Sequence, residues 1–526
     1  MHIGIFWQIL IATLSAGILP LILIAVIALN GYQRAAFEAT NSTKQVLDQR
    51  SLESLQLRTI ETANAISRFL HGSVQDIRSL ALIAPSPQAY QRFYRNHTGE
   101  IWERQGTNDD YRQVRYQAPL YKEIVYIDAT GQEQLRLLNG EWVPDSDLRN
   151  VADPANTTYK TETYFNDTKD LRAGGVYVSN VTAWNLTREQ QLGTAENSYD
   201  AIEGEKYDAV IRFTTPVFDE EGNFDGIVML GLDFRHIMEF ILHILPTSEQ
   251  NYTVYPNYAS GNYAYLFDHE GWHVVHPRQW VLRGLDENGE LVSHATGEMR
   301  ENNPALLAIH PFNMQFGDWA DPNLPLMYEA VLRREDGFVI TENQSGAEKA
   351  TTYAPIEFNE GVYAEAGIFG GVAIGAELAE FHEPANLVGS NIANVRRTIE
   401  NNTLLITGVS IFALIFTVTV LARRITRPVV ELTQAAYIME QGELDVAKLD
   451  NLEKRRWTDE VSTLSAVFKD MAEKVQLRQR RLQERIAQLN IQIDEQKKEQ
   501  QVAEVAESDY FQKLQANAEK MRARFD

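Results

Sequence analysis

The stretch VIRFTTPVFDEEGNFDGIVMLGLD, residues 210–233, decides how this chain folds. Two runs rich in β-branched and aromatic residues flank the turn sequence Asp219-Glu220-Glu221-Gly222, so residues 208–218 and 226–234 read as an antiparallel hairpin. The pattern then returns. Phe213-Thr214-Thr215-Pro216-Val217-Phe218 is echoed by Thr352-Tyr353-Ala354-Pro355-Ile356-Glu357-Phe358, and Gly226-Ile227-Val228-Met229-Leu230-Gly231 by Gly371-Val372-Ala373-Ile374-Gly375. Upstream, Val125-Tyr126-Ile127-Asp128-Ala129-Thr130-Gly131 is matched by Tyr265-Leu266-Phe267-Asp268-His269-Glu270-Gly271. Repetition of a whole hairpin set implies a duplicated supersecondary unit. With extended runs at 123–139, 176–184, 263–267, 272–276, 349–358 and 372–376, the expectation is an α+β body of two tandem antiparallel-sheet modules.

Working outward, residues 32–84 read as one long helix. Leu52, Leu55, Ile60, Ala63, Ile66, Phe69, Leu70, Val74, Ile77 and Leu80 recur at three- and four-residue spacing, and Pro85-Ser86-Pro87 stops the run. About 50 helical residues span ~75 Å, enough to run along both modules. Before it, residues 3–30 are apolar and uncharged, long enough to cross a bilayer and too long for a cleaved leader, with Pro20 as a point of kinking. A second apolar run, 403–422, ends in Arg423-Arg424-Ile425-Thr426-Arg427-Pro428. Basic residues beside a membrane helix favour the cytoplasm. Residues 31–400 therefore face outward, with modules at about 85–245 (membrane-distal) and 246–395 (proximal), and both termini lie inside.

Charge follows the same division. The 526 residues carry 48 Lys+Arg and 72 Asp+Glu, a net charge of -24. Residues 423–526 hold 19 of each sign, so the whole acidic excess lies before them. This argues against nucleic acid and against docking on anionic lipid, and suits a large solvated domain. No cysteine is present, which removes disulfides, thiolate metal sites and cysteine nucleophiles.

After the second apolar run, Ile425, Val429, Leu432, Ala436 and Met439 make a heptad seam that Gly442 ends. Leu444 and Val446 mark an extended connector, Asp459-Glu460 opens a second helix, and Val461, Leu464, Phe468, Met471 and Val475 line it. Such short seams need a second chain to be buried, which implies a homodimer. Leu482, Ile486, Leu489 and Ile493 continue as coiled coil after a four-residue stutter.

Residues 35–395 resemble a double Cache domain, the extracytoplasmic sensor of many bacterial receptors, on the long helix, the hairpin YIDATGQEQLR, the 210–233 hairpin and its echo. The resemblance implies small-molecule binding in the membrane-distal module and a place in a bacterial inner membrane. Its amino-acid-binding subclass carries Arg-x-Trp-Tyr, absent from 150–185, and an Asp closing the Gly-rich strand, which Asp233 matches. Residues 423–476 are similar to a HAMP linker, whose usual marks are Pro428, Gly442 and Asp459-Glu460. Residues 477–526 then form a coiled-coil tail similar to the segment that leads to an output module in some receptors.

A ligand pocket needs convergent polar groups on an apolar wall. Tyr126, Arg136, Tyr177, Ser179, Trp184, Arg212 and Asp233 supply them on the distal sheet: Arg for a carboxylate, Asp for an ammonium, Tyr and Trp for a stem or cation. Arg136, Arg212 and Asp233 equally suit ion pairs at sheet ends. No catalytic constellation emerges: His-Glu-x-x-His, Gly-x-Ser-x-Gly and phosphate-loop patterns are missing, and nothing calls for a cofactor. His273 and His276, three apart on a strand, should face opposite sides and share no metal. Residues 300–330 read as a loop-like insertion. No histidine follows His382 and no cyclase signature appears, so the expected output is a separate cytoplasmic kinase, cyclase or phosphatase. The reading is a non-enzymatic receptor; the alternative is an envelope assembly protein that uses the body to bind proteins.

Overall fold

A computed structural model describes residues 5–247, 261–342 and 348–440, with a few single helical positions beyond. Gly442, Leu444, Val446, Asp459, Glu460, the seam residues Val461, Met471 and Val475, and the coiled-coil positions Leu482, Ile486, Leu489 and Ile493 lie outside the described residues. The chain divides into two compact units, one of residues Ala36–Asn394, the other of Met1–Ala35 together with Val395–Asp526.

Within the first unit the upper part of α1 (Ile5–Ala81) is the organising element. Leu55, Thr59, Ala63, Ile66, Leu70, Val74 and Ile77 are buried along it, spaced four, four and three, with Leu80 continuing the row. Eleven residues per three turns almost matches the 3.6-residue helical repeat, so this stripe stays on one side of a nearly straight helix. The stripe packs on both sheets at once and makes a single apolar cluster with Ile124, Ile211, Phe213, Leu230, Leu266, Ile356 and Ile374. Thr59 Oγ1 meets Thr352 Oγ1 at 2.6 Å, and Tyr121 donates to Asp76 at 2.5 Å.

After Ser86 caps α2 (Pro87–Asn96), β1 (Thr98–Gly106) and β2 (Tyr111–Pro119) pair as a separate two-stranded sheet. The six-stranded sheet contains β3 (Tyr121–Asp128), β4 (Glu133–Leu138), β5 (Glu141–Trp142), β6 (Tyr177–Val178), β7 (Val210–Phe218) and β8 (Phe224–Asp233) in the order β5-β4-β3-β8-β7-β6. Between β5 and β7 the chain forms covering segments with the short helices α3 (Tyr164–Thr168) and α4 (Arg188–Leu192), and α5 (Arg235–Met238) follows β8. The five-stranded sheet uses β9 (Tyr263–Asp268), β10 (His273–Val275), β11 (Gly337–Glu342), β12 (Glu348–Glu357) and β13 (Ile368–Glu377) in the order β10-β9-β13-β12-β11. Position for position this matches β4-β3-β8-β7-β6, and every pairing is antiparallel.

The echoed turns are built alike. Asp128 Oδ1 takes the N–H of Thr130 and Gln132, and Asp268 Oδ1 takes that of Glu270 and Trp272. Gly131 and Gly271 close them at φ 84 in both cases, a conformation that L side chains avoid.

Three expectations change. The run 176–184 yields only the two-residue β6 and isolated bridges from Thr182 to Val210 and from Trp184 to Leu285, because Ser179 and Thr182 both turn their hydroxyls onto the Asn180 carbonyl and break the ladder. Residues 300–330 are not an open insertion: Met314, Met327 and Val331, from this segment and the helix Asn323–Leu332, are fully buried against Phe267 and Ile368. And a register shift between His273 and Val275 cancels the strand alternation, so the His273 and His276 rings stack 5.3 Å apart, tilted by 16°.

In the second unit, the start of α1 and the later part of the helix Glu383–Glu440 are, among the described residues, the two helical segments apolar and long enough to cross a membrane. Both helices run without a break through their prolines, Pro20 and Pro428. Leu10, Val418 and Ala422 bury one another, and Gly17 lies so close to Leu414 that a Cβ there would stand 2.6 Å from Leu414 Cδ2. Leu404, Leu405, Ile406, Val409 and Phe412 are 59–72% exposed, which suits a hydrocarbon solvent.

Candidate functional site

Strand alternation sorts the six-stranded sheet into two faces. Ile124, Ile211, Phe213 and Leu230 point at α1; Glu123, Val125, Arg136, Arg212, Thr214, Met229 and Gly231 point away, under the covering segments. On that second face Glu123 of β3 and Arg212 of β7 are opposite the same residue of β8, Gly231. A Cβ at Gly231 would stand 3.0 Å from the Glu123 Cβ. The bare backbone there lets carboxylate and guanidinium meet across the middle strand.

The result is a buried ionic network. Arg212, 1% exposed, bonds Glu123 through Nη1 and Glu162 through Nε, with a further contact from Nη2 to Glu162 Oε2 at 3.3 Å. Arg136 reaches Glu123 Oε1 at 3.3 Å, Glu133 Oε1 at 3.2 Å and Thr158 Oγ1 at 3.3 Å, and its buried Nε has no partner among the described residues. Burial pushes the Glu123 carboxyl up, but Arg212 and then Arg136 outweigh it and hold it at about 2. Burial likewise opposes the Arg212 charge, and Glu123 and Glu162 overcome it, raising its pKa. Three carboxylates face two guanidinium groups, so the network carries a net charge of -1.

Glu162 differs from the other acids in that it comes from the covering segment just before α3, not from the sheet. Tyr159 and Tyr164, from the same segment, place their rings 5.9 and 5.3 Å from the Arg212 guanidinium. Trp184 lies against Tyr159 with ring centroids 5.0 Å apart and is 40% exposed. The Arg212–Glu162 pair therefore ties the aromatic cover to the sheet floor.

Of the residues singled out in the sequence, Arg136 and Arg212 meet through Glu123. Ser179 Oγ accepts from the Arg212 backbone N–H at 2.9 Å, Tyr177 pairs with Thr214 on the same face, and Trp184 joins through Tyr159. Tyr126 projects from the opposite face, and its hydroxyl donates to Asp225 Oδ2 at 2.8 Å. Asp233 is bound at the end of β8 by Arg235, with Nη2 to Oδ2 at 2.7 Å, and also accepts the Arg235 backbone N–H. The sequence reading missed Glu123, Glu133, Glu162, Tyr159 and Tyr164. Glu123 had a signal, an acid inside the apolar row Glu123-x-Val125-x-Ile127; Glu162 sits in a segment with no periodicity at all.

The matching face of the five-stranded sheet holds a different set. His273 and His276 lie beside Tyr263, Tyr265 and Phe312, the Lys349 ammonium is 4.5 Å from the Tyr263 ring centroid, and His273 Nε2 is 3.1 Å from Met314 Sδ. Burial, and then Lys349, push the His273 imidazole down to about 3, so it is neutral at physiological pH.

Cavities open on the body beside α1. One, of about 390 Å³, lies between the β1–β2 hairpin, α1 and the α5 region. Another, of about 560 Å³, lies beside Leu55, Arg58, Glu61, Glu380 and Phe381.

No protein-family model matches the sequence, and the comparison with curated proteins finds no match. Among solved structures the chain is similar to the ligand-binding domain of the Pseudomonas aeruginosa amino acid chemoreceptor PctB in complex with L-Arg (14% identity, 62% of this chain and 95% of that one, TM-score 0.32). It is similar to the sensory domain of the Campylobacter jejuni chemoreceptor Tlp3 with isoleucine bound (11%, 65% and 98%, TM-score 0.33). A third is the ligand-binding domain of the Pseudomonas fluorescens chemoreceptor CtaA in complex with L-leucine (13%, 65% and 99%, TM-score 0.31).

Proposed function

We propose that the chain is a two-pass bacterial inner-membrane receptor whose outward body binds a small carboxylate-bearing ligand on the six-stranded sheet. The observation that carries this reading is the Arg212–Glu162 pair. A guanidinium at the centre of a buried face is held by a carboxylate that belongs to the covering segment and not to the sheet, with tyrosines around it. A ligand carboxylate on Arg212 replaces Glu162 and frees the cover, while a ligand ammonium offsets the network's surplus negative charge. Binding energy comes from exchanging one charge-assisted pair for another, so selectivity depends on the fit under Tyr159, Tyr164 and Trp184. Arg136, Tyr177 and Ser179 complete the site, with Asp233 at its margin; Tyr126, on the opposite face of the sheet, lies outside it.

The same sheet rests on α1, whose chain continues into the first apolar segment, so the reading extends to transmission. Ligand acts only through its different affinity for two states of the body. In a homodimer, a HAMP-like relay beginning at Pro428 and continuing through Gly442, Leu444, Val446, Asp459 and Glu460 passes the change to a separate cytoplasmic kinase, cyclase or phosphatase.

The test is calorimetric titration of the full chain in lipid nanodiscs with amino acids, organic acids, amines and purines. A carboxylate-bearing ligand should bind, Glu162→Gln should tighten it by removing the internal competitor, and Arg212→Met should abolish it. Binding that is indifferent to Arg212, or no binding across the panel, overturns the proposal.

A further inference from the structure

The β1–β2 hairpin was invisible in the sequence, and it creates a cavity that plays no part in the network above. Its floor is Phe69 of α1 and Phe240 after α5, packed edge to face at 5.6 Å. Its wall is the cross-strand pair Trp102 and Arg115, and Glu239 stands between wall and floor. At about 390 Å³ it holds a molecule of small-metabolite size.

The polar groups settle which charge suits it. Arg115 is committed: it is ion-paired with Glu100 and its guanidinium lies 4.7 Å from the Trp102 ring centroid. The Trp102 indole N–H donates to the same Glu100, at 2.9 Å. Glu239 is anchored on one oxygen, with Oε2 accepting the Trp102 backbone N–H at 3.2 Å and meeting His243 Nε2 at 3.1 Å. His236 Nε2 faces the Pro119 carbonyl at 2.9 Å, so it donates, and Nδ1 is left as an acceptor on the neutral ring. The lining thus has two carboxylates to one guanidinium, and that guanidinium is already paired. An anion entering here meets Glu100 and Glu239; a cation meets an anchored carboxylate beside three aromatic walls.

We infer that the cleft under the β1–β2 hairpin binds a small organic cation, its ammonium head on Glu239 and its apolar body against Trp102, Phe69 and Phe240. This goes beyond the sheet-face site: it uses other residues, takes the opposite charge, and stands or falls separately. Because Phe69 belongs to α1, a molecule in this cleft touches directly the helix that carries the sheets. The cleft is a second input to the receptor, able to bias the same helix as a ligand on the sheet.

The full chain in nanodiscs is titrated with phenethylammonium and with its uncharged and anionic counterparts, 2-phenylethanol and 3-phenylpropionate. Phenethylammonium should bind and the other two should not. Glu239→Gln should weaken binding by about tenfold or more, the size of one charge-assisted hydrogen bond. Glu103→Gln, on the same hairpin outside the cleft lining, should leave it unchanged. Hydrogen exchange on the unmodified chain provides a readout independent of any variant: phenethylammonium should slow exchange in peptides covering 98–119 and 235–243. Equal binding of alcohol and amine, no binding of the amine, wild-type affinity in Glu239→Gln, or no protection in those peptides overturns the inference. Binding of 3-phenylpropionate that depends on Arg212 reports on the sheet-face site alone and is read as such by its loss in Arg212→Met.

Discussion

Glu123→Gln is the sharpest test of the buried network, because one carboxylate serves both guanidinium groups. The variant keeps the shape and removes the charge. The folded protein holds this carboxyl at about 2 against an ordinary 4.5. At about 1.4 kcal/mol per pH unit, ionised Glu123 contributes about 3 kcal/mol at neutral pH. The sign follows from the depressed value: the contribution is complete above the unfolded pKa near 4.5 and is lost as pH falls toward 2, with more than half gone by about pH 3. Urea unfolding of the full chain in detergent, followed on the body's transition, should therefore place Glu123→Gln about 3 kcal/mol below wild type at pH 7. The gap should close as both are taken toward pH 3. Breaking one member of a buried ionic set costs more than removing the set, because an unpaired buried charge is left behind. Glu123→Leu combined with Arg212→Met and Glu162→Leu should accordingly recover much of the loss. A Glu123→Gln protein within about 0.5 kcal/mol of wild type at pH 7, the range of an ordinary surface change, would refute the reasoning.

Two further outcomes are expected. Gly231→Ala places a methyl 3.0 Å from the Glu123 Cβ and 3.2 Å from Val210 Cγ2, so it should cost about 1–3 kcal/mol by overpacking and lower the melting temperature accordingly. His273, held at about 3 when folded, binds a proton more readily when unfolded. The body should therefore lose about 1.4 kcal/mol per pH unit through this residue as pH falls below 6.5, and His273→Gln should flatten that slope in thermal melts between pH 4.5 and 7.

Much of the architecture was legible from local rules. Alternation located most strands of the two sheets to within a few residues, the edge strands β5 and β11 excepted, and the Asp-x-x-Gly turns helped, since Asp128 and Asp268 bond their own backbone whatever surrounds them. The stripe from Leu55 to Leu80 needed only helical spacing. The β1–β2 hairpin had no apolar period to follow. In β1 and β2 both faces are largely polar, so the hairpin exists through its own ladder and through Trp102 and Arg115 meeting across it.

Sequence by itself determined the elements that depend on period, length and turn chemistry: the long helix, the echoed hairpins with their turns, and two apolar segments of membrane length. Only the tertiary structure decided which charges meet. Gly231 clears the path that joins Glu123 to Arg212, the cover brings Glu162 from a segment without pattern, and one register shift turns His276 onto the side of His273. The physical reason is that hydrophobic burial acts on every apolar residue alike and leaves a periodic trace in the chain. An ion pair is a single meeting of two atoms far apart in sequence, and it leaves none.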